Sequence, residues 1–385
     1  LSSSKIGIIS LGWYGFSPST PEVSFREMMF ESSNRAYGVV GIDPRRDVDA
    51  FVVCQEDYWE GIAITNEFAP EPLGGVLRPT VTIAGDGLQC IATAYKLIRT
   101  GYFDIVAVEA HSKASNIATL SKIYEIALDP HYIRPLHVKN PLFLAGLEAR
   151  AYMERTGAER YHLALVAVKN KNSGLNNPRA SYAAPLKLED VVESKPVVEP
   201  LTSYEIAPFV DVSITFLLAR EEAAKKFTDT PVWIEGVGWS TETGTGAIAW
   251  HEWGRMRFLR DAASQAYRMA GISNPARSFD FVEVEDRFSY TELVALEELR
   301  LVQEGTAHLQ LESGDFDIDG YLPVNPSGGS LSIGVALEAT GLTRLLEATL
   351  RLWSMELVEE AEGRAIVASW RGIPSFSGGV VILSL

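Results

Sequence analysis

The chain is poor in the residues that carry covalent and metal chemistry. Cysteine occurs only twice in 385 residues, at Cys54 and Cys90. That is too few for a disulfide framework, and the spacing is not that of a zinc site. Both read as reduced thiols, which fits a cytoplasmic location. The six histidines, His111, His131, His137, His162, His251 and His308, form no HExxH or comparable pair, so no metal site is expected. No stretch approaches the roughly 20 consecutive apolar residues of a membrane span, and the opening LSSSKIGIIS lacks the apolar core of a secretory signal. Positive charge is also scarce: 34 Lys and Arg stand against 50 Asp and Glu, a formal net charge of −16. Nucleic acid is not an expected partner, because duplex binding rests on Lys and Arg neutralising phosphates. An anionic ligand needs a local basic patch.

What the chain does have is apolar material, 46% of its residues against 22% charged, enough for an ample core and for two domains of ordinary size. It also repeats itself. Leu11-Gly12-Trp13 answers Val237-Gly238-Trp239, each closing a strand-like run. Ala36-Tyr37, Gly41-Ile42, Asp49 and the strand AFVV answer Ala266-Tyr267, Gly271-Ile272, Asp280 and the strand FVEV. Both segments read as helix, glycine stop, short loop and buried strand. VTIAGDGL then pairs with VNPSGGSL, FDIVAVEA with RAIVASW, and VSITFLLA with GGVVILSL. Strands alternating with helices predict an α/β fold of two duplicated halves, with mainly parallel sheets covered on both faces. The halves are expected at residues 1–228 and 229–385. The first is longer by an insertion at about 118–205, which carries 11 Lys and Arg against 10 Asp and Glu and so is the least repulsive place for an anion.

Five segments sharpen this picture: GDGLQCIATAYKLIRTG, VEAHSKAS, KNKNSGLNNPRASYAAPL, VEVEDRFSYTEL and VNPSGGSLSIGVALEATG. Across nearly its whole length the chain resembles the thiolase superfamily, in the branch of sterol-carrier-protein-type and archaeal thiolases. The resemblance implies layered αβαβα halves with an inserted loop domain. It also implies a cysteine at a strand-to-helix turn that takes the acyl group of acyl-CoA as a thioester, its thiol activated by the helix N-terminus. A histidine in a GHP motif, a second Cys or His near the C-terminus, and an Asn or His before an acidic residue complete the family site.

This chain departs from that set at every position. Counting back from Gly101 places the nucleophile position on Ala84, which cannot form a thioester. Gly334-Val335-Ala336 stands for GHP, Glu285-Asp286-Arg287-Phe288 for HDCF, and Ser369-Trp370-Arg371-Gly372 for the C-terminal loop. The vacated site is therefore Ala84, Glu285, Val335, Trp370 and Arg371. Cys90 lies six residues beyond Ala84, about 240° around a helix and about 9 Å along it, and reads as core packing, as does Cys54. Asp86 and Gln89 have capping-box spacing, so Asp86 reads as a helix N-cap ahead of a catalytic acid. Glu285 reads either as a paired structural carboxylate or as altered chemistry, since an ionised carboxylate would repel a developing oxyanion. Arg371 either neutralises Glu285 or faces a CoA phosphate. Asn325, Gly328 and Gly329 are candidate cleft residues. Their glycine run reads as bringing backbone close to the reacting centre ahead of cradling a phosphate. His111 reads as a core or loop histidine ahead of a cleft residue.

The expected ligand is CoA or an acyl-CoA, held without a covalent cofactor, and the expected role is acyl-CoA binding or assembly. The alternatives are a non-covalent aldolase acting on a β-hydroxyacyl-CoA and residual acetyl-CoA acyltransferase activity. The resemblance further implies a homodimer, or a dimer of dimers, pairing edge strands at TVTIAG. It also implies a small zinc-ribbon and OB-fold partner protein.

Overall fold

A computed structural model describes residues 4–56, 65–118, 120, 142–242, 251–357, 363–372 and 376–385. The repeat reappears in it as duplicated hydrogen bonds. Helix α1 (Phe25–Val40) starts on the capping box of Ser24 and Glu27 and stops at Gly41, whose φ of 68° is left-handed and whose amide donates to the Tyr37 carbonyl. Helix α5 (Arg257–Ala270) stops in the same way at Gly271, with φ 69° and its amide on Tyr267. The next amides, of Ile42 and Ile272, donate to the same two carbonyls. The loop aspartates then latch the sheet. Asp49 and Asp280 each give a main-chain N–H to the opening residue of a neighbouring strand, Ile105 and Arg364. Each takes that residue's amide on its carboxylate, at 3.0 and 2.7 Å.

Nine strands hydrogen-bond in the order β3 (Thr80–Ile83), β2 (Ala50–Cys54), β4 (Ile105–Ser112), β7 (Asp211–Arg220), β1 (Ile6–Ser17), β8 (Val232–Thr241), β11 (Ser377–Ser384), β10 (Arg364–Arg371) and β9 (Phe281–Val284). The expectation of mainly parallel pairing is corrected. Only β3 with β2, β2 with β4 and β9 with β10 are parallel; the five pairs between β4 and β10 are antiparallel. Continuous apolar runs report burial on both faces, and antiparallel strands between helix layers are buried in the same way.

The sheet's alternation sorts its side chains into layers. In β2, Ala50, Val52 and Cys54 face a central layer, while Phe51 and Val53 face α1. In β10, Ala365 and Val367 face the centre, while Ile366, Ala368 and Trp370 face α5. The central layer holds α2 (Gly87–Arg99) and α8 (Thr340–Leu357), whose Leu88, Ile91, Leu342 and Leu345 are completely buried. The result is the layered order α, β, α, β, α. The two half-sheets meet where β1 pairs β8 at only two registered positions, Gly7 with Trp233 and Ile8 with Val232.

The pairing of VTIAGDGL with VNPSGGSL holds for the strand position: Phe51 N–H donates to the Pro79 carbonyl, and Val282 N–H to the Pro323 carbonyl. The second-half strand shrinks, however, to a single parallel bridge between Val282 and Val324. The helix that follows directly, α7 (Gly329–Ile333), is one short turn, and the counterpart of α2 is the later α8. Of the insertion proposed at 118–205, residues 119 and 121–141 lie outside the described residues. The described remainder holds α3 (Leu142–Thr156), α4 (Arg160–Ser173) and a small hairpin of β5 (Pro196–Val198) and β6 (Leu201–Thr202).

Candidate active site

Ala84 follows β3 and is solvent-exposed, two residues ahead of Asp86, the N-cap of α2. The helix start is tied down by Asp86, which is fully buried. Its carboxylate accepts the Leu88 amide at 2.9 Å, and its own amide donates to Gln89 Oε1 at 3.0 Å, completing the expected capping box. Asp86 Oδ2 also accepts the Gly341 amide at 3.0 Å and the Ser369 hydroxyl at 2.8 Å. One carboxylate thus serves the N-termini of both α2 and α8, where the two helix dipoles favour negative charge. A Cβ on Gly341 would collide with Asp86 Oδ1, so glycine is what allows the approach. Behind the turn, Cys54 Sγ donates to the Gly85 carbonyl at 3.3 Å. Cys54 and Cys90 are both fully buried, and burial pushes both thiols up, away from the thiolate a nucleophile needs.

In front of the turn lies Arg371, at the end of β10, with 18% of its side chain exposed. Of the two readings for Arg371, pairing with Glu285 is not what its contacts show. Nη2 pairs with Glu56 Oε2 at 2.5 Å, and Nη1 pairs with Glu338 Oε1 at 3.0 Å and approaches the Gly85 carbonyl at 3.5 Å. Trp370, one residue earlier, points through the other face of the sheet into the α5 layer, where it is 6% exposed. The strand's period of two separates the neighbours. Val335 is buried and makes only backbone bonds, its amide to the Pro208 carbonyl and its carbonyl to the Val210 amide. His111, in β4, is buried against Glu109 at 3.2 Å and stacked on Phe25 at 5.3 Å.

The remaining positions form a second, sealed network beyond β9. Glu285 is 2% exposed: Oε2 accepts the Ser330 hydroxyl at 2.9 Å, and Oε1 has no hydrogen-bond partner among the described residues. Burial and then the adjacent Asp286 charge push its carboxyl up to about 8, against the pull of Arg344. The shift favours the neutral, protonated form of Glu285. Asp286, raised to about 6 chiefly by burial, takes the Ser330 and Leu331 amides and the Asn170 side chain. These amides are the N-terminus of α7, so Asp286 already fills the anion position that the glycine run offered. A Cβ at Gly329 (φ 63°) would strike the Asp286 carboxylate, and Gly328 (φ 99°) is left-handed as well. Asn325 is fully buried, with Oδ1 on the Val284 amide and Nδ2 on Glu292. Two adjoining cavities, of about 350 and 580 Å³, open beside Ser173 and Asn176; the smaller also touches Ser327, and neither touches Ala84, Glu338 or Arg371.

Ala84 and Arg371 thus meet at one turn, while Glu285, Asn325, Gly328 and Gly329 belong to the sealed network and Val335 and Trp370 pack in the interior. Sequence reasoning missed Glu338 and Glu56. A carboxylate inside the otherwise apolar LSIGVALEATG was the available signal for Glu338.

Comparison with known proteins agrees with this architecture. Residues 242–383 match the family model described as "Thiolase C-terminal domain-like". The acetyl-CoA acetyltransferase of Methanothermobacter thermautotrophicus is 30% identical over 359 residues, 90% of each chain. Sterol carrier protein 2 of Gallus gallus is 27% identical over 408 residues, 99% of this chain and 71% of that protein. Among solved structures, the Ltp2-ChsH2(DUF35) aldolase superposes with a TM-score of 0.83 at 22% identity, covering 99% of this chain and 97% of the other. With a two-half α/β fold and a relative at this identity over nine-tenths of its length, the chain belongs to the thiolase superfamily.

Proposed function

We propose that this chain holds a CoA or acyl-CoA ligand in the thiolase cleft without forming a covalent acyl-enzyme, and that it works as an acyl-CoA-binding or assembly subunit rather than as an acetyltransferase. The observation that carries this reading is the turn ahead of α2. The position of the nucleophile is Ala84, exposed and chemically inert, and both cysteines near it are buried with raised thiols. Val335 offers no base where the family places its histidine. Thiolytic assay with acetoacetyl-CoA and free CoA tests it: acetyl-CoA formation is expected to stay at the level of buffer. Production above that level, rising in proportion to protein, overturns the reading.

A second reading, a non-covalent carbon–carbon lyase on a β-hydroxyacyl-CoA, is favoured by the likeness to a solved structure named as an aldolase. Such a reaction needs a base and an enolate-stabilising group but no cysteine, so Ala84 does not oppose it. That neighbour is named as a pair, Ltp2 with ChsH2(DUF35), which supports the expectation of a small partner protein here. A homodimer is supported by β3, which is an edge of the sheet and keeps Val81 37% exposed.

A further inference from the structure

Glu338 is the group at this site that neither capping nor packing explains. It sits in the single turn Leu337–Ala339 just ahead of α8, packed on β4. The residue is completely buried; Oε1 accepts from Arg371, and Oε2 has no hydrogen-bond partner among the described residues. A buried polar atom left unsatisfied destabilises the fold, which an apolar residue at this position would avoid. The charged and titratable groups that act on it are Arg371 from β10, Glu56 from the end of β2, His111 from β4, and the thiols of Cys54 and Cys90 behind the turn. Arg371, shared between two carboxylates, reaches the Gly85 carbonyl beside exposed Ala84, and Arg371 and Glu56 keep 18% and 17% of their side chains accessible.

We propose that Glu338 is the acid–base group of this cleft and Arg371 its oxyanion-binding cation, acting together on the Cα proton of an acyl-thioester ligand held at the Ala84–Gly85 turn. The inference rests on the proposal that the cleft takes an acyl-CoA. In the forward step the Glu338 carboxylate removes a Cα proton, and the C–H electron pair moves onto the thioester oxygen, which Arg371 stabilises. The reverse step returns a proton from Glu338 to Cα. No bond to the protein forms, and nothing is oxidised or reduced. On a β-hydroxyacyl ligand the same pair takes the hydroxyl proton, the Cα–Cβ bond breaks toward the thioester, and the proton returns to Cα. The products are a carbonyl compound and a shorter acyl-CoA.

Deuterium exchange tests this without knowledge of the natural acyl chain. The full chain is incubated with acetyl-CoA in D2O buffer, label at the acetyl carbon is read by mass spectrometry, and acetyl-CoA binding is measured by calorimetry in parallel. Exchange is expected to rise with pH through about 7, where burial places the Glu338 carboxyl against the opposing pull of Arg371. Glu338→Gln is expected to reduce exchange by about 100-fold with acetyl-CoA affinity unchanged. Equal exchange in the variant and the parent overturns the assignment. Binding without exchange in the parent overturns it too, while leaving the binding proposal standing. Absence of binding overturns both. If Glu338→Gln does not fold, the pH profile of the parent decides: a flat profile between pH 5 and 9 contradicts a base at Glu338.

Discussion

Glu285, which the family resemblance sets at the position of an oxyanion donor, is favoured in its protonated form, because leaving water costs its ionised form more than Arg344 returns. The consequence for stability has a definite sign. A carboxyl raised from its ordinary value to about 8 is neutral in both the folded and unfolded states at low pH. As pH rises above 4.5 only the unfolded state ionises freely, so stability falls from there to about pH 8 and is level beyond it. Glu283, raised to about 7, adds in the same direction. Glu285→Gln is expected to flatten the decline of Tm between about pH 5 and 8 and to stabilise the protein above pH 8 by roughly one to a few kcal/mol. Thermal melts across that range check it, and a parent Tm that climbs with pH contradicts it. Ala84→Cys makes the complementary point: with Val335 buried and Glu285 sealed, restoring a thiol alone is expected to leave acetoacetyl-CoA thiolysis at background.

Among the elements, the junction of α2 and α8 depends on a single side chain. Asp86 satisfies two helix N-termini and Ser369 from one buried carboxylate. Asp86→Ala leaves those three donors without their acceptor and is expected to lower stability by about 3 kcal/mol, measured by urea unfolding. A loss below about 0.5 kcal/mol would mean that water replaces the cap. The sequence made half of this visible: the spacing of Asp86 and Gln89 marks the start of α2, but nothing local shows that Gly341, 255 residues away, shares the cap. The repeat was legible for a similar reason. Glycine stops and strand-latching aspartates are local devices, so Gly41 and Gly271, and Asp49 and Asp280, declare themselves in the chain. Strand direction was not legible, because burial of β7 and β11 on both faces carries no information about which way they run. Nor was the partner of Arg371, which is set by Glu56 and Glu338 from two other parts of the chain.

Taken as a whole molecule, the chain ends its nine-stranded sheet at β3 on one side, while the outer side of β9 is met by the Val282–Val324 bridge. Residues Pro79 and Ile83 turn their carbonyls toward β2, so the alternation of a parallel pair turns the Thr82 amide outward. If two copies join through β3, Thr82→Pro removes an outward donor without breaking the ladder inside, and self-association in sedimentation is expected to weaken at least about tenfold. Unchanged association would place any dimer elsewhere. The same scale holds the central claim, that a thiolase fold has kept its ligand cleft and given up acyl transfer to the protein. No helix among the described residues is long and apolar enough to cross a membrane. The most direct test is calorimetric titration with acetyl-CoA, followed by mass spectrometry of the intact protein. Saturable binding with no acetyl adduct on the protein is the predicted result; an acetylated chain, or no binding at all, would contradict it.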